Sequence, residues 1–178
     1  MAEKLKPDQT ALRPNRVPWP PLIYGAALVA GLGLGWLAPL GWPSALAGLP
    51  VRIAGALVAA LGLGLDLSAI FTLYRAHTNV LPNRGADHLV TNGPFALSRN
   101  PIYLGNTLLV AGLGLAFFNG WLIGAALLAA LATDHLAARR EERHLAAKFG
   151  PAFATYAARV PRWIGPITPP PPDGRGRN

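Results

Sequence analysis

The chain has 178 residues, 52% of them apolar and only 13% charged, with a net charge of +8 and no cysteine. A soluble domain carries about 25% charged residues, so this chain lacks the polar cover for one, and its mean hydropathy is positive. The absence of cysteine excludes disulfides, a thiolate nucleophile and a thiolate-bound metal.

Residues 1–19 form a polar segment broken by Pro7, Pro14 and Pro18 and are expected to be loosely ordered. A membrane-spanning helix needs roughly 20 apolar residues. The run 20–51 supplies one span, at 22–39, followed by a loop rich in Pro, Gly and Trp. It does not read as a signal peptide: it is too long, it follows polar chain, and no small-residue cleavage pattern ends it. Its GLGLG at Gly31–Gly35 is not a nucleotide fingerprint, which needs a strand before it and a helix after it. Small residues for close helix packing are the better account, and Gly55, Gly62 and Gly64 repeat the pattern in the second span, 53–74.

Pro82, Asn83, Arg84, Gly85, Asn92, Gly93 and Pro94 mark a long loop, and the segment GPFALSRNPIYLG (93–105) closes it. Asn100 reads as the N-cap and Pro101 as the first residue of the next helix. The apolar run 101–138 is long enough for two spans, 101–118 and 121–138, with Asn119–Gly120 as the turn between them. The last helix is expected to continue through Arg139–Lys148, stop at Gly150, and lead into a short helix ending near Arg159. Leu145, Phe149, Phe153, Tyr156 and Val160 make an apolar stripe there, a face lying on the membrane or capping the bundle. Residues 165–178 read as an extended, disordered tail. The expected fold is all-α: an integral membrane bundle of four transmembrane helices (domain 20–164) with a cytoplasmic C-terminal helical extension.

Four spans place fifteen of the sixteen Lys and Arg on one side, with Arg52 alone on the other. The positive-inside rule then puts both termini and the 75–100 loop in the cytoplasm of an inner (cell) membrane protein. An odd number of spans would destroy this asymmetry. The basic excess is accounted for by anionic headgroups of the bilayer, not by nucleic acid. Trp19 and Trp163 against Trp36, Trp42 and Trp121 form two aromatic belts.

Polar groups at membrane depth are costly unless partnered, so they mark where chemistry belongs. Asp66, Asn106, Thr107, Asp134 and His135 lie in the spans, and Glu141 and Glu142 follow. At i, i+4 and i+7, Asp134, Ala138 and Glu141 share one helix face, and His135 and Glu142 the next. Glu141 and Glu142 could instead pair with Arg139, Arg140 and Arg143 on a solvated face, and His135 could be a packing residue. The four histidines have no metal-ligand spacing, and Ser98 sits in no nucleophile elbow. The start of the third helix offers free N–H groups and a positive dipole end for a carboxylate. Arg99 beside it adds a bidentate fork, while Glu141 and Glu142 suit an ammonium or sulfonium. One ligand carries all three groups: S-adenosylmethionine.

The runs LVTNGPFALSRNPIYLG and RREERHLAAKFGPAFATYAARVPRW, either side of an apolar hairpin, resemble the isoprenylcysteine carboxyl methyltransferase and phospholipid N-methyltransferase superfamily. That family carries Arg-His-Pro-x-Tyr-x-Gly, then a Glu-Glu pair after the next span, then an aromatic and basic tail. The matching residues are Arg99, Pro101, Tyr103 and Gly105, then Glu141 and Glu142, then Tyr156, Arg159 and Pro161. The resemblance covers about residues 78–164, roughly half of the chain. The family's His is Asn100 here, which can hydrogen-bond a carboxylate but cannot accept a proton as a base.

The resemblance implies an S-adenosylmethionine-dependent methyltransferase whose lipophilic or small acceptor, a thiol, carboxylate or amine, comes from the bilayer at the cytoplasmic face. Arg99, Asn100, Pro101 and Tyr103 would orient the cofactor, and Gly105 would let it approach the backbone. Glu141 or Glu142 would hold its ammonium, and Arg159 or Arg162 an acidic acceptor. Two other classes remain open on the sequence: an NADPH-dependent membrane reductase of the sterol reductase type, and a non-catalytic membrane binding protein. Oligomeric state is not readable.

Overall fold

A computed structural model describes residues 17–78 and 86–165. The polar N-terminal stretch 1–16, the loop centre with Pro82, Asn83, Arg84 and Gly85, and the Pro-rich tail beyond residue 165 lie outside the described residues.

The described chain is helical, with no strand. Helix α1 runs over Trp19–Leu37, α2 over Leu49–Arg75, α3 over Pro101–Ala116 and α4 over Gly120–Thr133. One π-helical turn, Asp134–Ala138, joins α4 to α5, Arg139–Phe149. Helix α6 covers Pro151–Arg159. Gly150 separates the last two at φ +52°, a backbone state glycine adopts without strain, as the sequence led one to expect.

Three helices are long and apolar enough to cross a membrane: Trp19–Leu37, Leu49–Arg75 and the continuous Gly120–Phe149. The third expected span differs, because α3 has 16 residues and rises only about 24 Å. The last helix runs on past residue 138 as expected, the π turn carrying it into α5 without a break.

Close packing of small residues explains why these helices touch where they do. The buried residues of α2 are Gly55, Ala59, Gly62, Asp66 and Ala69, spaced alternately four and three apart on one stripe. A Cβ at Gly62 would stand 2.6 Å from the Gly105 carbonyl oxygen, and one at Gly55 would stand 2.8 Å from that of Gly112. So α2 lies flush along α3. Of the GLGLG glycines, Gly31 meets Leu122 and Gly35 meets Asn119, whereas Gly33, like Gly64 of α2, faces open space. Helix α1 packs mainly on α4, and α3 packs on α4 and α2, while α2 has no comparable contact with α1 or α4. The core of the bundle is Tyr24, Val110, Leu122, Ala126 and Ala129.

Both turns at the Arg52 end are fixed by side chains. Asn119 caps α4, accepting from the backbone N–H of Trp121 and Leu122, and its amide donates to the Gly31 carbonyl at 3.0 Å. Arg52 stacks over the Phe118 ring at 5.0 Å, where the desolvated face of an aromatic ring suits a cation. At the other end, Phe153, Tyr156 and Val160 form a second small core with Leu89, Leu145 and Phe149. The stripe expected from the sequence therefore covers a loop segment and builds a cap.

Candidate functional site

The cap brings three separated stretches together: residues 98–103 at the start of α3, residues 134–142 around the π turn, and residues 161–163 after α6. Glu142 is the hub. Its Oε1 accepts from Arg162 Nε at 2.9 Å and its Oε2 from Arg162 NH2 at 2.7 Å, the parallel fork that gives a guanidinium–carboxylate pair its geometric specificity. Arg99 NH1 stands 3.1 Å from Glu142 Oε1 on the other side. The Glu142 carboxylate holds the Arg162 guanidinium above its ordinary pKa, more than burial lowers it. Arg162 also reaches Asp134 Oδ1 at 3.4 Å, where Trp163 Nε1 donates at 3.1 Å, while Arg139 Nε takes Oδ2 at 2.7 Å.

Backbone contacts tie the last stretch to the first. The Arg99 N–H donates to the Pro161 carbonyl at 2.9 Å. The Arg162 carbonyl accepts from both Ser98 Oγ and the Asn100 side-chain amide, each at 3.1 Å. Nearby, Tyr156 donates its hydroxyl to the Phe95 carbonyl at 2.7 Å, and burial pushes its pKa up, so it stays a donor.

Beside this ionic knot, the buried Tyr103 donates its hydroxyl to Glu141 Oε1 at 2.7 Å. The Tyr103 carbonyl is held from the opposite side by Tyr24 Oη at 3.0 Å and Thr107 Oγ1 at 2.8 Å.

The π turn explains which glutamate faces where. One extra residue in the ladder offsets every later side chain by about 100°, which turns an i, i+7 alignment into i, i+8. Asp134 therefore shares its partner Arg162 with Glu142, not with Glu141 as a regular helix would have it. His135 is exposed on the same turn, so it is no packing residue.

Arg99, Asn100, Tyr103, Glu141 and Glu142 are thus gathered at one end of the bundle, with Pro101 opening α3 beneath them. Two residues sit elsewhere. Arg159 is exposed and has no hydrogen bond or ion pair among the described residues; Arg162 is the arginine at the site. Gly105 faces α2: a Cβ there would collide with Asp66 Oδ1 and stand 2.7 Å from the Gly62 carbonyl oxygen. Asn100 occupies the N-cap position of α3 but makes no side-chain cap, because its amide holds the Arg162 backbone instead.

Sequence reasoning does not place Ser98 or Trp163 in this cluster, and it pairs Asp134 with the face of Glu141 rather than with Glu142. The spacing of the chain gives no signal for Ser98. Trp163 was legible only as an aromatic anchor, and the π turn that aims Asp134 leaves no trace in apolar periodicity.

A family model described as phospholipid methyltransferase matches residues 51–152, from the start of α2 into α6. The cobalt-zinc-cadmium resistance protein CzcN of Cupriavidus metallidurans is 39% identical over 103 residues, covering 57% of this chain and 46% of that protein. The nickel-cobalt-cadmium resistance protein NccN of Alcaligenes xylosoxydans xylosoxydans is 33% identical over 112 residues, covering 63% of this chain and 51% of that protein. The chain spans about half the length of these curated relatives.

Proposed function

The chain belongs to the phospholipid methyltransferase family, and from that premise we propose that it is a membrane enzyme transferring a methyl group from S-adenosylmethionine to an acceptor supplied at the cytoplasmic face. The observation that carries this reading is the pairing of a donor-rich helix start with two buried-edge glutamates, Tyr103–Glu141 and Arg99–Glu142.

The residues fit the proposed cofactor. A carboxylate finds the uncapped N-terminus of α3 and Arg99, whose Nε is buried without a hydrogen-bond partner. An ammonium finds Glu141, which Tyr103 holds in one rotamer. When bound, S-adenosylmethionine supplies an electrophilic methyl on a sulfonium, so the protein's part is positioning and charge management. Arg99 and the first amides of α3 orient the carboxylate end. Glu142, clamped by Arg99 and Arg162, fixes the closing segment over the site. Asn100 pins that segment through the Arg162 carbonyl and moves no proton. Arg162 takes the place foreseen for an arginine near the acceptor, and Arg159 keeps only its part in the exposed basic face.

We read α3, prolonged at its far end by Phe117 and Phe118, as the third of four spans, with both termini cytoplasmic. The basic residues gathered on one side support this.

Calorimetric titration of purified protein with S-adenosylmethionine and, separately, with NADPH tests the assignment. Binding of the former, weakened at least tenfold in Glu141→Gln, is expected. Binding of NADPH alone would favour the reductase. Undiminished S-adenosylmethionine binding in both Glu141→Gln and Glu142→Gln would sink the site.

A further inference from the structure

Asp66 lies on α2 in a stretch that is otherwise apolar over Ile53–Tyr74 apart from Ser68 and Thr72. The residue is buried, 7% exposed. It stands against Gly105, at the first turns of α3. Oδ1 is buried with no hydrogen-bond partner, and neither oxygen has a hydrogen bond or ion pair among the described residues. The polar groups across α3 are satisfied by one another: Tyr24 Oη meets Thr107 Oγ1 at 2.6 Å and the Tyr103 carbonyl at 3.0 Å. Asp66 is therefore the unsatisfied ionisable group of this level of the bundle, where the buried Thr133 hydroxyl also lacks a partner. An ionisable group in that position marks a functional site by default.

Helix α2 is attached along α3 and the Gly93–Ala96 turn, without a comparable contact to α1 or α4, so an acceptor would come to Asp66 along the open side of the α2–α3 pair. Glycine at position 105 lets the carboxyl lie on the α3 backbone, two residues from Tyr103, whose hydroxyl holds Glu141.

We infer that Asp66 is an acceptor-side site, distinct from the Arg99–Glu142 cluster, that binds the protonated nitrogen of an amine acceptor and takes its proton. This rests on the methyltransferase reading above. The charge selects the class: a buried carboxylate pairs with an ammonium entering from the membrane surface and repels a carboxylate or thiolate. In the first step the ammonium N–H bond breaks and the proton passes to Asp66, leaving a neutral amine and a carboxylic acid. In the second the amine lone pair forms the N–CH3 bond as the S–CH3 bond of S-adenosylmethionine breaks, its electron pair staying on sulfur. The product is a methylammonium and S-adenosylhomocysteine, and Asp66 later returns its proton to water.

The experiment measures transfer of labelled methyl from S-adenosylmethionine by wild type and Asp66→Asn. The probes are phosphatidylethanolamine vesicles, soluble ethanolamine, an alkyl thiol and a fatty acid. Cofactor binding is measured on the same samples. Expected is transfer to an amine by wild type, lost at least a hundredfold in Asp66→Asn while cofactor affinity stays within twofold. That unchanged affinity also shows the variant is folded. Vesicle against soluble amine tells a lipid headgroup from a free amine. Retained amine transfer in Asp66→Asn, or wild-type transfer only to the thiol or fatty acid, would overturn the inference. So would transfer to none of the four by protein that binds the cofactor. Wild type that does not bind S-adenosylmethionine would refute the underlying function instead.

Discussion

Arg162 concentrates more contacts than any other side chain at the cap, gripping Glu142 with two nitrogens and Asp134 with a third. A hydrogen bond to a charged group contributes about 1.5–3 kcal/mol, and with the Arg162 side chain 32% exposed the lower end applies after solvent screening. Arg162→Met is expected to cost about 1 kcal/mol. In a thermal scan of detergent-purified protein that is a Tm lower by roughly 2–4 °C. The same scan on Arg159→Met should show no shift, because that arginine holds nothing. Tyr103→Phe removes one hydrogen bond to Glu141 and leaves the ring packed. Calorimetry should show S-adenosylmethionine affinity falling about tenfold, the equivalent of about 1.4 kcal/mol.

At the scale of elements, the π turn sets the register of the site. Deleting Ala137 would restore a regular helix and rotate α5 by about 100°, carrying Glu142 off Arg162. The expected outcome is a protein with unchanged helical circular dichroism and no detectable cofactor binding. The α2–α3 seam offers a paired test. Gly105→Ala drives a methyl into Asp66 and the Gly62 carbonyl, an overpacking that costs about 1–3 kcal/mol. Gly64→Ala meets nothing within 4 Å and should be neutral or stabilising by up to about 1 kcal/mol in the same unfolding measurement. These elements also mark what could be read from sequence. Apolar runs, Pro101, the Asn119–Gly120 turn and Gly150 fixed the helices to within a few residues, because membrane length and backbone chemistry act locally. The partner of each glutamate was not legible: it depends on one inserted residue in a helix and on a fold-back of twenty residues between Glu142 and Arg162. Asn100 was legible as a helix start, but not as the group that holds Arg162.

For the whole molecule, the proposed four-span topology makes a prediction that needs no assay of chemistry. A fluorescent protein fused at either end should glow, and a periplasmic phosphatase reporter inserted at Gly41 should be active, whereas three spans would put the two ends on opposite sides. The membrane also decides where selection acts on α2. One side of that helix is a seam that admits only Gly, Ala or the single Asp66, while Leu57, Leu61, Leu63 and Leu67 are exposed to whatever surrounds the bundle. A deep mutational scan would therefore return a wave along α2. Tolerance would collapse at residues 55, 59, 62, 66 and 69 and recover between them, so the helix's mutational record alone would show which of its sides faces the protein.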